Sequence, residues 1–137
     1  MDRSRLEDDR RCFACGPDNA EGMQLAFEYG HDSARAVFEP KRRFAGWTTI
    51  VHGGIMATLL DEAMAHAAIA AGIRAVTGRL SVRFRKAAPL DEPLVAAGKI
   101  ESRRGRVLDL SATVTGLDGT LYAEGQGRFV ADDAQER

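Results

Sequence analysis

A histidine and two glycines stand together at His52-Gly53-Gly54, and a carboxylate, Asp61, follows eight residues after the first glycine. The run between Ile55 and Ala65 is apolar except for Thr58, Asp61 and Glu62. If this is a helix start, the glycines let a backbone or ligand approach closely, and the first-turn N–H groups, which have no intrahelical partner, point outward as donors. A helix N-terminus favours developing negative charge. A carbonyl attacked there would gain on the order of 3 kcal/mol per donor in its transition state. Asp61, in so apolar a run, is the kind of carboxylate whose pKa desolvation raises, which suits a general base at neutral pH. At 1.5 Å of rise per residue it lies roughly 12 Å from Gly53 along the axis. Both cannot touch one carbonyl within a single chain. The spacing suits two antiparallel helices, with Gly53 of one chain facing the Asp61 of another. The plainer alternative is that the glycines allow close helix packing and Asp61 pairs with an arginine.

Around this pair, His52 reads either as a proton-transfer group or as a structural group bonding a nearby carbonyl. Glu62 points about 100° away from Asp61 on the helix and reads as a salt-bridge partner, while His66 reads as packing or an interfacial hydrogen bond. Cys12 and Cys15 form one Cys-x-x-Cys, which is half a tetrahedral zinc site. No second such pair completes it, although His31 or a symmetry mate offers a ligand. A redox pair would need a low-pKa cysteine at a helix start, and this one follows a charged segment. The expectation is a structural role or no bound metal.

The elements that must position these residues follow from periodicity. Period-two alternation marks strands at Gln24 to Tyr29 and Ala34 to Glu39, joined by a turn at Gly30 to Ser33. Lys41 to Val51 lacks a period and reads as a loop. Gly53 to about Ala71 is rich in Ala, Leu, Met and Ile, apolar nearly all round, and is expected to be a buried helix capped by Gly72. Four strands follow. In the first, Val76, Gly78, Leu80, Val82 and Phe84 form a core face, and Thr77 lies on the polar face. The second runs from Leu94 to Glu101, with a turn at Arg103-Arg104-Gly105. The third, Val107 to Thr115, puts Leu108, Leu110, Ala112 and Val114 on one face. Asp118-Gly119 then turns the chain into Leu121 to Phe129. The order is ββαββββ, an α+β arrangement in which a curved antiparallel sheet of about six strands wraps one long helix. Residues 1–20 are expected to be a charged segment carrying the Cys-x-x-Cys, 21–131 the single domain, and 132–137 a charged tail. The open sheet edges invite a second chain.

Composition narrows the function classes. The chain has 137 residues, 19 Lys+Arg against 20 Asp+Glu, and 45 % hydrophobic residues. That is one domain with enough apolar material for a core. A formal net charge of -1 gives no global field for phosphate backbones, so nucleic acid is not expected as a partner. The longest low-charge stretch, Ala63 to Ile73, is shorter than a membrane span, and residues 1–11 lack a signal-peptide core. No membrane association and a cytoplasmic location are expected.

His52-Gly53-Gly54 followed by Leu60-Asp61, with the helix continuing through Ala63 and Met64, resembles the signature of hotdog-fold acyl-CoA thioesterases, in particular the phenylacetyl-CoA (PaaI-type) branch. Cys12-Phe13-Ala14-Cys15-Gly16 followed by Gly22-Met23-Gln24-Leu25 resembles the opening of many of its members, so the likeness covers roughly residues 12–130. The resemblance implies hydrolysis of an aromatic or short- to medium-chain acyl-CoA without metal or organic cofactor. It implies that the Gly53 N–H polarises the thioester carbonyl and that Asp61 of the partner subunit acts as general base or nucleophile. Thr77 matches a Ser or Thr that helps hold the attacking water. Gly54, Trp47, Thr48 and Met56 would border the thioester and acyl group. Arg83, Arg85 and Lys86, and also Arg103, Arg104 and Arg106, would meet the phosphates of coenzyme A. A homodimer with shared sites is implied, with a dimer of dimers open. One departure stands out: relatives carry an Asn or Gln about six residues before the histidine, where this chain has Phe44-Ala45-Gly46-Trp47-Thr48-Thr49. Three other readings stay open: an acyl-CoA-binding module that keeps the pocket without turnover, an enoyl-CoA hydratase-type enzyme and a small Cys-x-x-Cys metalloprotein.

Overall fold

The computed structural model describes residues 6–132. In chain order the elements are β1 (Glu28–Tyr29), β2 (Ser33–Phe38), a single-turn 3-10 helix (Arg42–Phe44), α1 (Gly53–Ala70), β3 (Ala75–Phe84), β4 (Leu94–Arg104), β5 (Val107–Gly116) and β6 (Leu121–Ala131). The six strands make one antiparallel sheet in the order β1-β2-β4-β5-β6-β3. The expected ββαββββ order and the hotdog architecture are both present. No helix among the described residues is long and apolar enough to cross a membrane.

The core lies between α1 and the sheet. Leu59, Leu60, Ala63, Met64, Ala67 and Ala68 of α1 are buried, as are Leu108, Leu110, Ala112 and Val114 on the expected face of β5. A closely seated helix needs room in the sheet, and glycine provides it. A Cβ at Gly98 of β4 would stand 2.4 Å from the Ala63 carbonyl oxygen, so helix and strand backbones are almost in contact. Because backbone cannot move aside as a side chain can, Gly98→Ala is expected to cost about 3 kcal/mol, the upper end of overpacking penalties. Thermal unfolding should register this as a loss of roughly 10 °C in Tm. At its far end α1 closes with Gly72 at φ +81, Gly72 N–H donating to Ile69 O and Ile73 N–H to Ala68 O. This is the glycine-terminated cap anticipated at Gly72.

The structure departs from the sequence expectations in four places. The first strand shrinks from Gln24 to Tyr29 down to Glu28–Tyr29. Gln24 adopts φ +53, and the flanking Met23 and Leu25 N–H groups donate to Phe13 O and Ala14 O. The Cys-x-x-Cys segment therefore takes the bonds a strand neighbour would, and Ala14 is fully buried in the core. The turn expected at Arg103-Arg104-Gly105 falls on Gly105 and Arg106, with β4 continuing to Arg104. Asp132, the first residue of the anticipated tail, is buried and accepts from Leu6 N–H at 3.1 Å; residues 133–137 lie outside the described residues.

The fourth departure bears on function. β3 pairs with β6 through a bulge between Thr77 and Arg79, where Gly78 is the extra residue. A bulge reverses the inside-outside phase of the strand before it. Thr77 therefore lies opposite buried Phe129, while Leu80 and Val82 lie opposite Gly127 and Gly125. Thr77 shares the helix-facing side with Leu80 and Val82, and Val76 turns outward and is exposed. Strict alternation had placed Thr77 and Val76 the other way round.

Candidate active site

At the start of α1 the first-turn donors have separate fates. His52 is the N-cap, and its Nδ1 accepts from the Gly54 N–H at 2.8 Å. Ile55 and Met56 N–H groups both donate to His52 O. Among the described residues no group accepts from the Gly53 N–H, so this donor is left open at the positive end of an 18-residue helix, with its helix dipole behind it. The two glycines have different reasons. A Cβ at Gly54 would press to 3.1 Å on His52 Nδ1, whereas one at Gly53 would meet only the Phe84 ring at 3.8 Å. His52 is thus a capping group whose Nδ1 accepts from the Gly54 N–H, where the sequence reading had a carbonyl as its partner.

Asp61 is half-buried two turns further on, and Thr77 Oγ1 donates to its Oδ1 at 2.6 Å. The bulge at Gly78 is what makes this bond possible. Burial raises the Asp61 pKa, the Thr77 bond lowers it, and the charge of neighbouring Glu62 raises it again, with a net upward shift. Burial dominates because the helix around Asp61 is packed with Leu59, Leu60, Ala63 and Met64. The carboxylate is held in one orientation by a neutral hydroxyl, with no arginine bonded to it among the described residues. The plain alternative of an Asp61–Arg pair is not what the structure shows.

The remaining predicted residues divide. Gly53, Gly54 and His52 stand together at the exposed helix start, with Trp47 (80 % exposed) and Thr48 in the loop before it. That loop is closed on itself by Gly46 N–H to Ile50 O and His52 N–H to Phe44 O. Met56, expected at the acyl group, is 3 % exposed and belongs to the core. Its place follows from helix geometry, because three residues turn it about 300° from Gly53, onto the sheet. Arg83 and Arg85 alternate with helix-facing Val82 and Phe84, so they emerge on the outer side of the sheet. Arg85 there donates to Glu124 at 2.7 Å. Lys86 follows β3, its N–H on Tyr122 O. A single chain does not bring these three cations to Gly53 or Asp61. Sequence reading missed Phe84 as a neighbour of Gly53, although an aromatic at a strand end, next to basic residues, was a usable signal. His66 stacks on Phe27 at 4.2 Å, the packing role anticipated for it, and bonds Tyr29 Oη of its own chain through Nδ1 at 2.9 Å.

The fold is that of a hotdog protein. The family model described as thioesterase superfamily matches residues 48–123, a span that holds both Gly53 and Asp61, and the chain belongs to that superfamily. It is 28 % identical over 143 residues to acyl-coenzyme A thioesterase THEM4 of Bos taurus, covering 99 % of this chain and 59 % of the relative. With THEM4 of Mus musculus it shares 30 % identity over 118 residues, 84 % of this chain and 51 % of the relative. The chain thus spans about half the length of these curated relatives. Among solved structures, the thioesterase superfamily protein RHA08564 is 31 % identical with a TM-score of 0.83, over 88 % of this chain and 60 % of that one. A hypothetical thioesterase from Streptococcus pneumoniae TIGR4, solved with coenzyme A, shares the fold at a TM-score of 0.74 and 19 % identity, over 78 % of this chain and 84 % of that one. The PaaI protein of E. coli does so at 0.75 and 15 %, over 80 % of each.

Proposed function

We propose that this chain is an acyl-CoA thioesterase that works as a homodimer, each site formed by Gly53 of one subunit and Asp61 of the partner subunit. The observation that carries the reading is the pairing of an open Gly53 N–H with a carboxylate held by Thr77. An oxyanion donor and a base are both present, roughly 12 Å apart on one helix, so antiparallel helices of two chains supply what one cannot. Exposed Trp47 and Phe84 beside the helix start support the same reading, since a protein surface of this kind is commonly covered by a partner or ligand.

In the proposed reaction Asp61 acts as general base through Oδ2, its Oδ1 being engaged by Thr77. It takes a proton from water as the water oxygen bonds to the thioester carbon. The carbonyl oxygen becomes an oxyanion and accepts from the Gly53 N–H, an interaction stronger in the transition state than in the ground state. Collapse breaks the carbon–sulfur bond, and the proton on Asp61 returns to the departing CoA thiolate. The acyl group, aromatic or short- to medium-chain, would lie against Trp47 and Phe84. Arg83 and Lys86 carry the proposal for the phosphates of coenzyme A, Arg85 being already paired.

The reading is tested by free-thiol release from a panel of aromatic and aliphatic acyl-CoAs. Turnover of at least one member is expected. Binding without turnover across the panel would favour an acyl-CoA-binding module instead. Within an active enzyme, Thr77→Ala should lower kcat roughly ten- to a hundredfold, the worth of a hydrogen bond to a charged group. Activity needs the ionised carboxylate and so rises with pH through the Asp61 pKa, which burial raises from its ordinary value. Because the Thr77 bond favours the charged form, its loss should move the acidic limb of the pH–rate profile further up. A limb that stays in place in the variant would remove Thr77 from the site.

A further inference from the structure

Cys12 and Cys15, which the proposed hydrolysis does not use, lie beside a third metal-binding group remote in sequence. Cys12 Sγ, Cys15 Sγ and a carboxylate oxygen of Glu62 all lie within 4.8 Å of one another. Ligands about 2.3 Å from a tetrahedral zinc ion stand roughly 3.8 Å apart, so small side-chain rotations would close the set. The Cys-x-x-Cys turn is built tightly. Gly16 N–H donates to Cys12 O at 2.8 Å, and a Cβ at Gly16 would come within 2.4 Å of Cys12 N. The Ala14 and Cys15 N–H groups both point at Cys12 Sγ, at 3.4 and 3.5 Å, which suits a sulfur carrying negative charge.

Glu62 supplies the second line of argument. Its Oε2 is buried without a hydrogen-bond partner, an arrangement native interiors rarely leave unmatched. His66 Nε2 stands 3.5 Å from that oxygen, beyond good bonding range, and is itself steadied by Tyr29 and Phe27. A cation between Glu62 and the two sulfurs would satisfy the oxygen. Finally, a cavity of about 450 Å³ is lined by Cys12 and Cys15 together with Glu7, Asp8 and Tyr29, which leaves space beside the cysteines for a fourth, solvent ligand.

We propose that Cys12, Cys15 and Glu62 form a binding site for a thiophilic divalent cation of the zinc type, clipping the N-terminal segment to α1. The donor set of two sulfurs and one oxygen selects such an ion over calcium or magnesium. Binding releases the two thiol protons, leaving two thiolates and one carboxylate around a doubly charged ion, and involves no electron transfer.

The test uses the full chain, chelator-treated and kept reduced, titrated with cobalt(II) and then zinc. One cobalt per chain with a thiolate-to-metal charge-transfer band, displaced by zinc, is the expected result, and zinc should raise Tm because it binds the folded chain. Glu62→Gln should keep the band and weaken binding by about tenfold or more, whereas Cys15→Ser should lose it. Folding of each variant is checked by circular dichroism, and the wild-type titration stands without them. No band and no Tm shift in reduced wild-type protein would overturn the proposal. So would undiminished cobalt affinity in folded Cys15→Ser.

Discussion

Asp61→Asn is expected to lower thioester hydrolysis by on the order of 10²- to 10⁴-fold, the range that a positioned base supplies, while leaving the fold intact. Asparagine keeps an Oδ1 that can still accept from Thr77, so the local geometry survives. The stability consequence has the opposite sign. Asp61 has a pKa raised in the folded state, chiefly by burial. A carboxyl of this kind favours folding when protonated, and that contribution is lost as pH rises from its unfolded value through its folded one. At neutral pH the ionised Asp61 therefore works against stability, and the neutral asparagine should melt at the same temperature as wild type or higher. Activity lost together with Tm would point to a structural carboxylate instead. Retained turnover in a folded Asp61→Asn protein would end its assignment as base.

Gly53→Pro should be nearly as severe for a different reason. Proline at the first helical position removes only an N–H that has no intrahelical role, and its fixed φ suits that position. The residue before a proline must be extended, and His52 already sits at φ -58, ψ 135. The substitution thus deletes the oxyanion donor with little disturbance of the helix. A fall in kcat of about 10²- to 10³-fold is expected, the effect of losing one such donor. Gly53→Ala, which keeps the N–H and adds a Cβ in ordinary contact with Phe84, should fall far less. Equal losses in the two variants would mean that space, and not the donor, is what glycine provides there.

The sequence made the architecture legible because the signals were local and mutually consistent. The apolar run from Gly53, the Gly72 cap, the alternation on β5 and the Asp118-Gly119 turn each fixed an element without reference to the others. Gly53 and Asp61 stood out as candidates by residue type and spacing, and the resemblance supplied the roles proposed for them. What escaped were features set by contacts remote in sequence. The first strand was cut short because Met23 and Leu25 bond the segment around Phe13 and Ala14. Thr77 was assigned to the wrong face because a single bulge residue, Gly78, resets the phase of β3. Met56 looked available beside the helix start, yet its turn of the helix faces the sheet. Glu62, read as a salt-bridge partner, does stand 3.5 Å from His66 Nε2, but nothing in its neighbourhood of the sequence announces the two cysteines that the fold brings to it.

The central claim is that the donor and the base of one site come from two chains, and mixing inactive variants tests it directly. Gly53→Pro and Asp61→Asn proteins are each close to inactive as homodimers. After dissociation and reassociation in equal amounts, half of the dimers are mixed, and each mixed dimer holds one site with an intact Gly53 and an intact Asp61. Recovery to about a quarter of wild-type activity is the predicted result. Activity that stays at the level of the separate variants, with mixed dimers shown to have formed, would contradict the shared site.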